Sequence, residues 1–206
     1  MTAIFELTLL RHGRSRADDE EVHEGRYDSP LTDVGRAQAR ARGEGWRAAG
    51  YRPDGIVAST LARAHEVANI VGGILNVPVV TDAGWMEIDN GPLAGLPFAV
   101  ADERYPVPSS SHPFAVWHGT GESQADVHAR VSGALQRIFG RPPGRYLVVS
   151  HGGALNAALR VLLGIPLPAH PAGVYFAFGD LGYARVAYRP AAHRCVVREL
   201  VPGSVD

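Results

Sequence analysis

Two histidines of this 206-residue chain stand in the same setting. His12 follows Leu9-Leu10-Arg11 and precedes Gly13, while His151 follows Val148-Val149-Ser150 and precedes Gly152-Gly153. In both places a run of β-forming residues gives way abruptly to a histidine and glycine, the pattern of a buried strand entering a loop. A neutral imidazole nitrogen is a competent nucleophile near neutral pH. Arginine grips an oxyanion with a planar fork, and the chain offers Arg11 beside His12 and Arg63 just past another strand end. Two histidines and two arginines at neighbouring strand ends would form a compact positive pocket for a dianionic group such as phosphate. Gly13 would let the backbone approach that group closely.

The elements that must position these residues follow from periodicity. Strands are expected over residues 4–10, 55–58, 77–80 and 145–150, with closing strands around 174–178, 184–188 and 196–200. Helices are expected over 35–49, 61–75, 122–139 and from His151 to about Gly164, with Thr32 or Asp33 capping the first and Ser59 the second. Residues 82–111, crowded with glycine and proline, read mainly as loops with one helix. Alternating strands and helices predict an α/β fold: a mostly parallel central sheet, helices on both faces, and the last strands antiparallel at an edge. Sites in such sheets lie at the carboxyl ends of strands, where Arg11-His12, Ser59 to Arg63 and Ser150-His151 all fall.

Composition narrows the partners. The formal net charge is -1, which gives no reason to expect nucleic acid or an anionic membrane. Lysine is absent, so arginine is the sole fixed cation available to an anion. Cys195 is alone, which excludes an internal disulfide framework and a cysteine zinc site and fits a reducing compartment. With no basic-then-apolar N-terminal segment and no membrane-length apolar run, the chain reads as one cytoplasmic domain over residues 1–206. Edge strands left exposed would suit a homodimer. Trp85 and Tyr105 read as core or rim packing, and His112 and His118 as surface or pocket-wall residues without metal-ligand spacing.

Taken together these stretches resemble the histidine phosphatase superfamily, which includes the phosphoglycerate mutases. The resemblance runs from Leu10-Arg11-His12-Gly13 through Glu24-Gly25-Arg26-Tyr27-Asp28-Ser29-Pro30-Leu31-Thr32, which is similar to the family's QGxxDxPLT stretch. It continues in Ser59-Thr60-Leu61-Ala62-Arg63-Ala64, in Glu87 with Gly91 and Gly95, in Gly121-Glu122-Ser123, and ends at Ser150-His151-Gly152-Gly153. It implies the three-layer α/β/α, phosphoglycerate mutase-like fold. It implies that His12 becomes phosphohistidine and that Arg11, Arg63 and His151 bind the transferring group, with Gly13, Ser15, Gly25 and Gly152 lining the phosphate site. Glu87 would protonate the leaving oxygen and then deprotonate water, a task that calls for burial or neighbouring negative charge. No metal and no cofactor is implied.

Two positions depart from the family's pattern. Asp18 stands where many members have an asparagine that reaches the phosphate, so it must be protonated or turned toward Arg14 or Arg16 to avoid repelling a dianion. Val67 replaces a common threonine. The expected activity is hydrolysis of a small phosphomonoester. The alternatives are mutase-type phosphoryl transfer, which the short stretch between Gly95 and Gly121 disfavours, and a catalytically silent phospholigand-binding module.

Overall fold

The expected alternation is realised as a six-stranded sheet in a computed structural model that describes residues 3–106, 112–167 and 173–204. Along the chain come β1 (Phe5–Arg11), α1 (Arg16–Asp19), α2 (Asp33–Ala48), β2 (Gly55–Ala58), α3 (Ala62–Leu75) and β3 (Val79–Thr81). They are followed by α4 (Phe98–Arg104), α5 (Gln124–Phe139), β4 (Arg145–Ser150), α6 (Gly152–Leu163), β5 (Tyr183–Arg189) and β6 (Arg194–Val201). The strand order is β3-β2-β4-β1-β5-β6. The first four strands are parallel and the last two join antiparallel at the edge, as the sequence predicts.

Successive side chains of a strand point to opposite faces, and the core divides accordingly. Leu7, Leu9, Val57 and Val148 pack with Val131 and Leu135 of α5 and Leu155 and Leu159 of α6. Leu10, Ile56, Ala58, Leu147 and Val149 pack with Ala39 and Trp46 of α2 and Ala64, Val67, Val71 and Leu75 of α3 on the other face. Both faces of the central strands are covered, which explains why β1, β2 and β4 read as nearly continuous apolar runs. Trp85 is fully buried in the α5/α6 layer. No described helix is long and apolar enough to cross a membrane.

Several local expectations shift, each for a polar reason. Thr32 caps α2 as expected, its hydroxyl accepting the Gly35 N–H. Ser59 is not the N-cap of α3; Leu61 is, and the Ala62 N–H is satisfied by Asp28 Oδ1 at 2.7 Å from a distant loop. The strand expected at 77–80 begins only at Val79, because the Val77 N–H turns back to the Gly72 carbonyl to close α3. Residues 174–178 form no strand. Both the N–H and the C=O of Phe176 bond the side chain of the buried Asn156, and the Phe178 carbonyl accepts from Arg11, so these backbone groups do not join a ladder. In the irregular segment α4 is the single α-helix among the described residues, and 107–111 lie outside them.

Candidate active site

Because β4 lies between β1 and β2, the loops leaving these three parallel strands are neighbours. β1 delivers His12, β4 delivers His151, and β2 delivers Ser59 and, as the second residue of α3, Arg63. The imidazoles of His12 and His151 lie 5.1 Å apart between ring centres, and both side chains are buried.

His12 is held in one tautomer. Its Nδ1 is 2.8 Å from the Gly13 carbonyl, which can only accept, so the ring proton sits on Nδ1 and Nε2 keeps its lone pair. That Nε2 faces Arg63, whose Nε–H donates to it at 3.2 Å. Gly13 is closely packed: a Cβ there would come within 2.7 Å of Leu181 and 2.8 Å of Gln38 Oε1, side-chain ends that would have to shift.

Arg63 is wholly buried and oriented by carbonyls. Nη1 donates to Tyr27 O at 3.0 Å and Nη2 to Gly25 O at 2.9 Å, so the Gly25–Tyr27 loop aims the guanidinium at His12. Gly25 thus enters the site through its carbonyl. It has φ +49, and a Cβ would collide with Asn90.

His151 is the N-cap of α6, with extended backbone. Its Nε2 lies 2.8 Å from Ser59 Oγ, a hydroxyl that also accepts the Leu61 N–H and has a proton to offer the imidazole. When Nε2 accepts that proton the ring proton of His151 is on Nδ1, a buried atom with no partner among the described residues and one that a phosphoryl oxygen would satisfy. Burial, then the charges of Arg63, His12, Arg11 and Arg130, push its pKa well below the ordinary 6.5. His151 is therefore a neutral donor.

This depression predicts a pH dependence of stability. Below about pH 6.5 the unfolded chain takes up a proton at residue 151 that the folded protein refuses, so the contribution is complete above that pH and is lost as pH falls below it. His128, lowered by burial and then by Arg160, acts in the same direction. The urea midpoint should fall between pH 7.5 and pH 5.5, and His151→Gln should flatten that slope. An identical slope in the variant would contradict the assignment.

Glu87 is half-buried, and its partners are backbone donors where the sequence suggested burial or neighbouring negative charge. Its carboxylate accepts from Gly153 N and Ala154 N at 3.0 Å each and from Ile88 N at 2.8 Å, meeting N–H groups at the start of α6 that have no intrahelical acceptor. Gly153 allows this approach, as a Cβ would stand 2.5 Å from Glu87 Oε1. Gly152 is the first residue of α6 beside His151. Glu87 also lines a cavity of 380 Å³ whose walls include Ile88, Leu93, Tyr105 and His118.

The remaining expected residues fall around this centre. Arg11 donates to Phe178 O at 2.9 Å and lies 3.9 Å from Asp180, contributing positive potential at His151 while bonding outward. The Ser15 hydroxyl is committed to Glu24 Oε1 at 2.5 Å. Asp18 turns to neither Arg14 nor Arg16. It accepts the Ser15 N–H at 2.6 Å, while Arg14 pairs with Asp19 and Arg16 with Glu20.

Sequence reasoning missed three contributors. Ser59, read as a cap, instead hydrogen-bonds His151 Nε2 and orients its ring. Arg130 of α5 donates to the carbonyls of Gly84, Met86 and Glu87 and pairs with both oxygens of Glu122, bracing the segment that carries Glu87. Glu24 places Oε1 3.2 Å from Arg63 Nε and Oε2 3.4 Å from His12 Nε2. Its signal was in plain view, a carboxylate where the matched motif has a glutamine.

The geometry can therefore present an unprotonated nitrogen to an electrophile, donate to its oxygens from Arg63 and His151, and move a proton through Glu87 on the cavity side. Known proteins resemble this chain over most of its length. The family profile described as histidine phosphatase superfamily (branch 1) matches residues 7–195. A probable phosphoglycerate mutase GpmB of Cronobacter sakazakii is 32% identical over 176 residues, covering 79% of this chain and 77% of that protein. An uncharacterized phosphatase PhoE of Bacillus subtilis is 31% identical over 165 residues, covering 80% and 79%. Among solved structures, a mycobacterial glucosyl-3-phosphoglycerate phosphatase complexed with VO3 superposes with a TM-score of 0.81 at 26% identity, covering 95% of this chain and 98% of that one.

Proposed function

Because the chain belongs to the histidine phosphatase superfamily, we propose that it hydrolyses a small phosphomonoester through a phosphohistidine formed on His12. The observation that carries this reading is the His12 ring, with Nδ1 tied to Gly13 O and Nε2 left basic beside Arg63.

His12 Nε2 attacks phosphorus while the bond to the leaving oxygen breaks, and Glu87 gives that oxygen its proton. The ionised Glu87 then takes a proton from water as the water oxygen attacks the phosphohistidine. The P–N bond breaks, its electron pair returns to Nε2, and orthophosphate leaves. Arg11, Arg63 and His151 hold the equatorial oxygens, so that fixed donors meet the developing charge.

The cavity beside Glu87 favours hydrolysis over mutase chemistry. Among the described residues no arginine lines it, whereas Asp102 and Glu87 do. A phosphoglycerate carboxylate or a second phosphate would meet no fixed cation there and would face like charge. An ester with an uncharged, partly apolar leaving group suits walls of Leu93, Ile88 and Tyr105 better.

The relatives named as probable mutases give the second reading its standing, and one experiment separates the two. Purified protein is incubated with aryl, sugar and nucleotide monoesters and with 3-phosphoglycerate, following phosphate release, isomerisation and acid-labile label on His12. Release with label on His12 is expected. Isomerisation without release would replace hydrolysis by the mutase reading, and absence of both turnover and label would end both.

A further inference from the structure

The carboxylate of Glu24 stands where an anion is wanted. Oε1 accepts from the Ser15 hydroxyl and lies 3.2 Å from Arg63 Nε, and Oε2 lies 3.4 Å from His12 Nε2. These are the guanidinium nitrogen and the imidazole nitrogen that the phosphoryl transfer proposed above requires. The side chain is 17% exposed and held by three partners, His12 and Ser15 of the loop after β1 and Arg63 of α3, so it is built into the site.

We propose that Glu24 is a resident anion of the phosphoryl pocket, which an incoming phosphate must displace from Arg63 and His12 and which thereby weakens retention of orthophosphate. The proposal rests on the reading that this pocket receives a phosphoryl group. Burial opposes the charge of Glu24, yet the His12 ring when it carries a proton on Nε2, then Arg63 and the Ser15 hydroxyl, hold its carboxyl well below the usual range, so displacement of Glu24 also frees the Nε2 lone pair for attack. Glu24 therefore stays ionised throughout the neutral range and competes with phosphate for the same donors. While it is in place, the nitrogen that must attack is faced by a negative charge. Exchange of one anion for another also means that departing orthophosphate leaves the donors satisfied, an arrangement that favours turnover over product retention.

Glu24→Gln tests this with little change of shape, because an amide oxygen still accepts from Ser15 and stays beside Arg63 while the charge is gone. Glu24→Ala removes the competitor altogether. Orthophosphate affinity is measured by calorimetry, which needs no turnover, and as a competitive inhibition constant against an aryl phosphate. Both variants should bind orthophosphate about tenfold more tightly than wild type, with KM lowered more than kcat changes. Unchanged or weaker phosphate binding in either folded variant would overturn the proposal and leave Glu24 as scaffolding for Ser15 and Arg63. If neither variant folds, crystals of wild type with orthophosphate decide. Glu24 withdrawn from His12 Nε2 supports displacement, and phosphate bound with the carboxylate unmoved refutes it. Failure of the phosphatase reading shows separately, as absence of label on His12 whatever the phosphate affinity.

Discussion

His12→Ala is expected to reduce phosphate release by at least about 10⁴-fold and to abolish acid-labile label, because the covalent route has no substitute nucleophile. His151 is the nearest imidazole, but its Nε2 is engaged by Ser59, so that nitrogen cannot stand in for His12. The substitution should spare the fold: the His12 side chain meets its neighbour's carbonyl, Arg63 and Glu24, which keep one another and Ser15 as partners, while its backbone N–H and C=O keep Ser150 and Leu181. The check pairs turnover with circular dichroism and orthophosphate calorimetry. A folded variant that binds orthophosphate but releases none from esters would confirm a covalent enzyme with an intact pocket. Retention of more than about one hundredth of wild-type turnover would mean that water attacks directly and that His12 is not the nucleophile.

The second large effect is expected at Arg63, on activity and stability together. The guanidinium is fully buried between Gly25 O, Tyr27 O, Glu24 and His12. Arg63→Met keeps much of the volume but strands two carbonyls and a buried carboxylate, a loss of about 3–5 kcal/mol by analogy with broken buried pairs. Transferring phosphate would lose a fixed positive donor, at about 10³-fold in kcat/KM. Arg63→Lys restores the charge without the fork that reaches both carbonyls and Nε2 at once, and should remain about 10²-fold impaired. Denaturant midpoints and kcat/KM measured on the same preparations separate the two roles. A stability loss without a kinetic loss in Arg63→Lys would reduce Arg63 to a brace for the 25–27 loop.

The sheet and its helices were legible because their signals are local and repetitive. The apolar runs of β1, β2 and β4 announce strands buried on both faces, and Val67, Ala68, Val71 and Leu75 announce the inner side of α3. His12, His151 and Arg63 were legible because strand ends converge, so placement on the sheet predicts neighbourhood in space. What escaped depends on polar partners far apart in sequence. Asn156 takes the backbone groups of Phe176 and so dissolves a strand that its own β-formers suggest. Ser59 has the position and hydroxyl of a cap but spends its proton on a histidine in another loop. Arg130 looks like a solvated face of α5 until the carbonyls of Gly84, Met86 and Glu87 are seen in front of it. Asp18 has the charge to repel phosphate and instead caps the first turn after Ser15. No hydrophobic period reports any of these, since each is one directional bond.

The adjacency of β1 and β4, with Arg11 in register with Ser150, also sets the moment at which this chemistry comes into being. During synthesis β1 leaves the ribosome without its parallel partner, and His12 waits unaccompanied while α2, β2, α3 and α5 emerge. Only when residues 145–163 follow can the middle of the sheet close, bringing Ser59, His151 and the α6 backbone donors that seat Glu87 to the same edge. A nascent chain halted before that point would hold the nucleophile and Arg63 but no finished site. Long-range parallel pairing is a slow step in folding. The phosphate site is thus completed late in the growing polypeptide, and a ribosome-bound fragment ending before β4 should be inert in the phosphate-release assay.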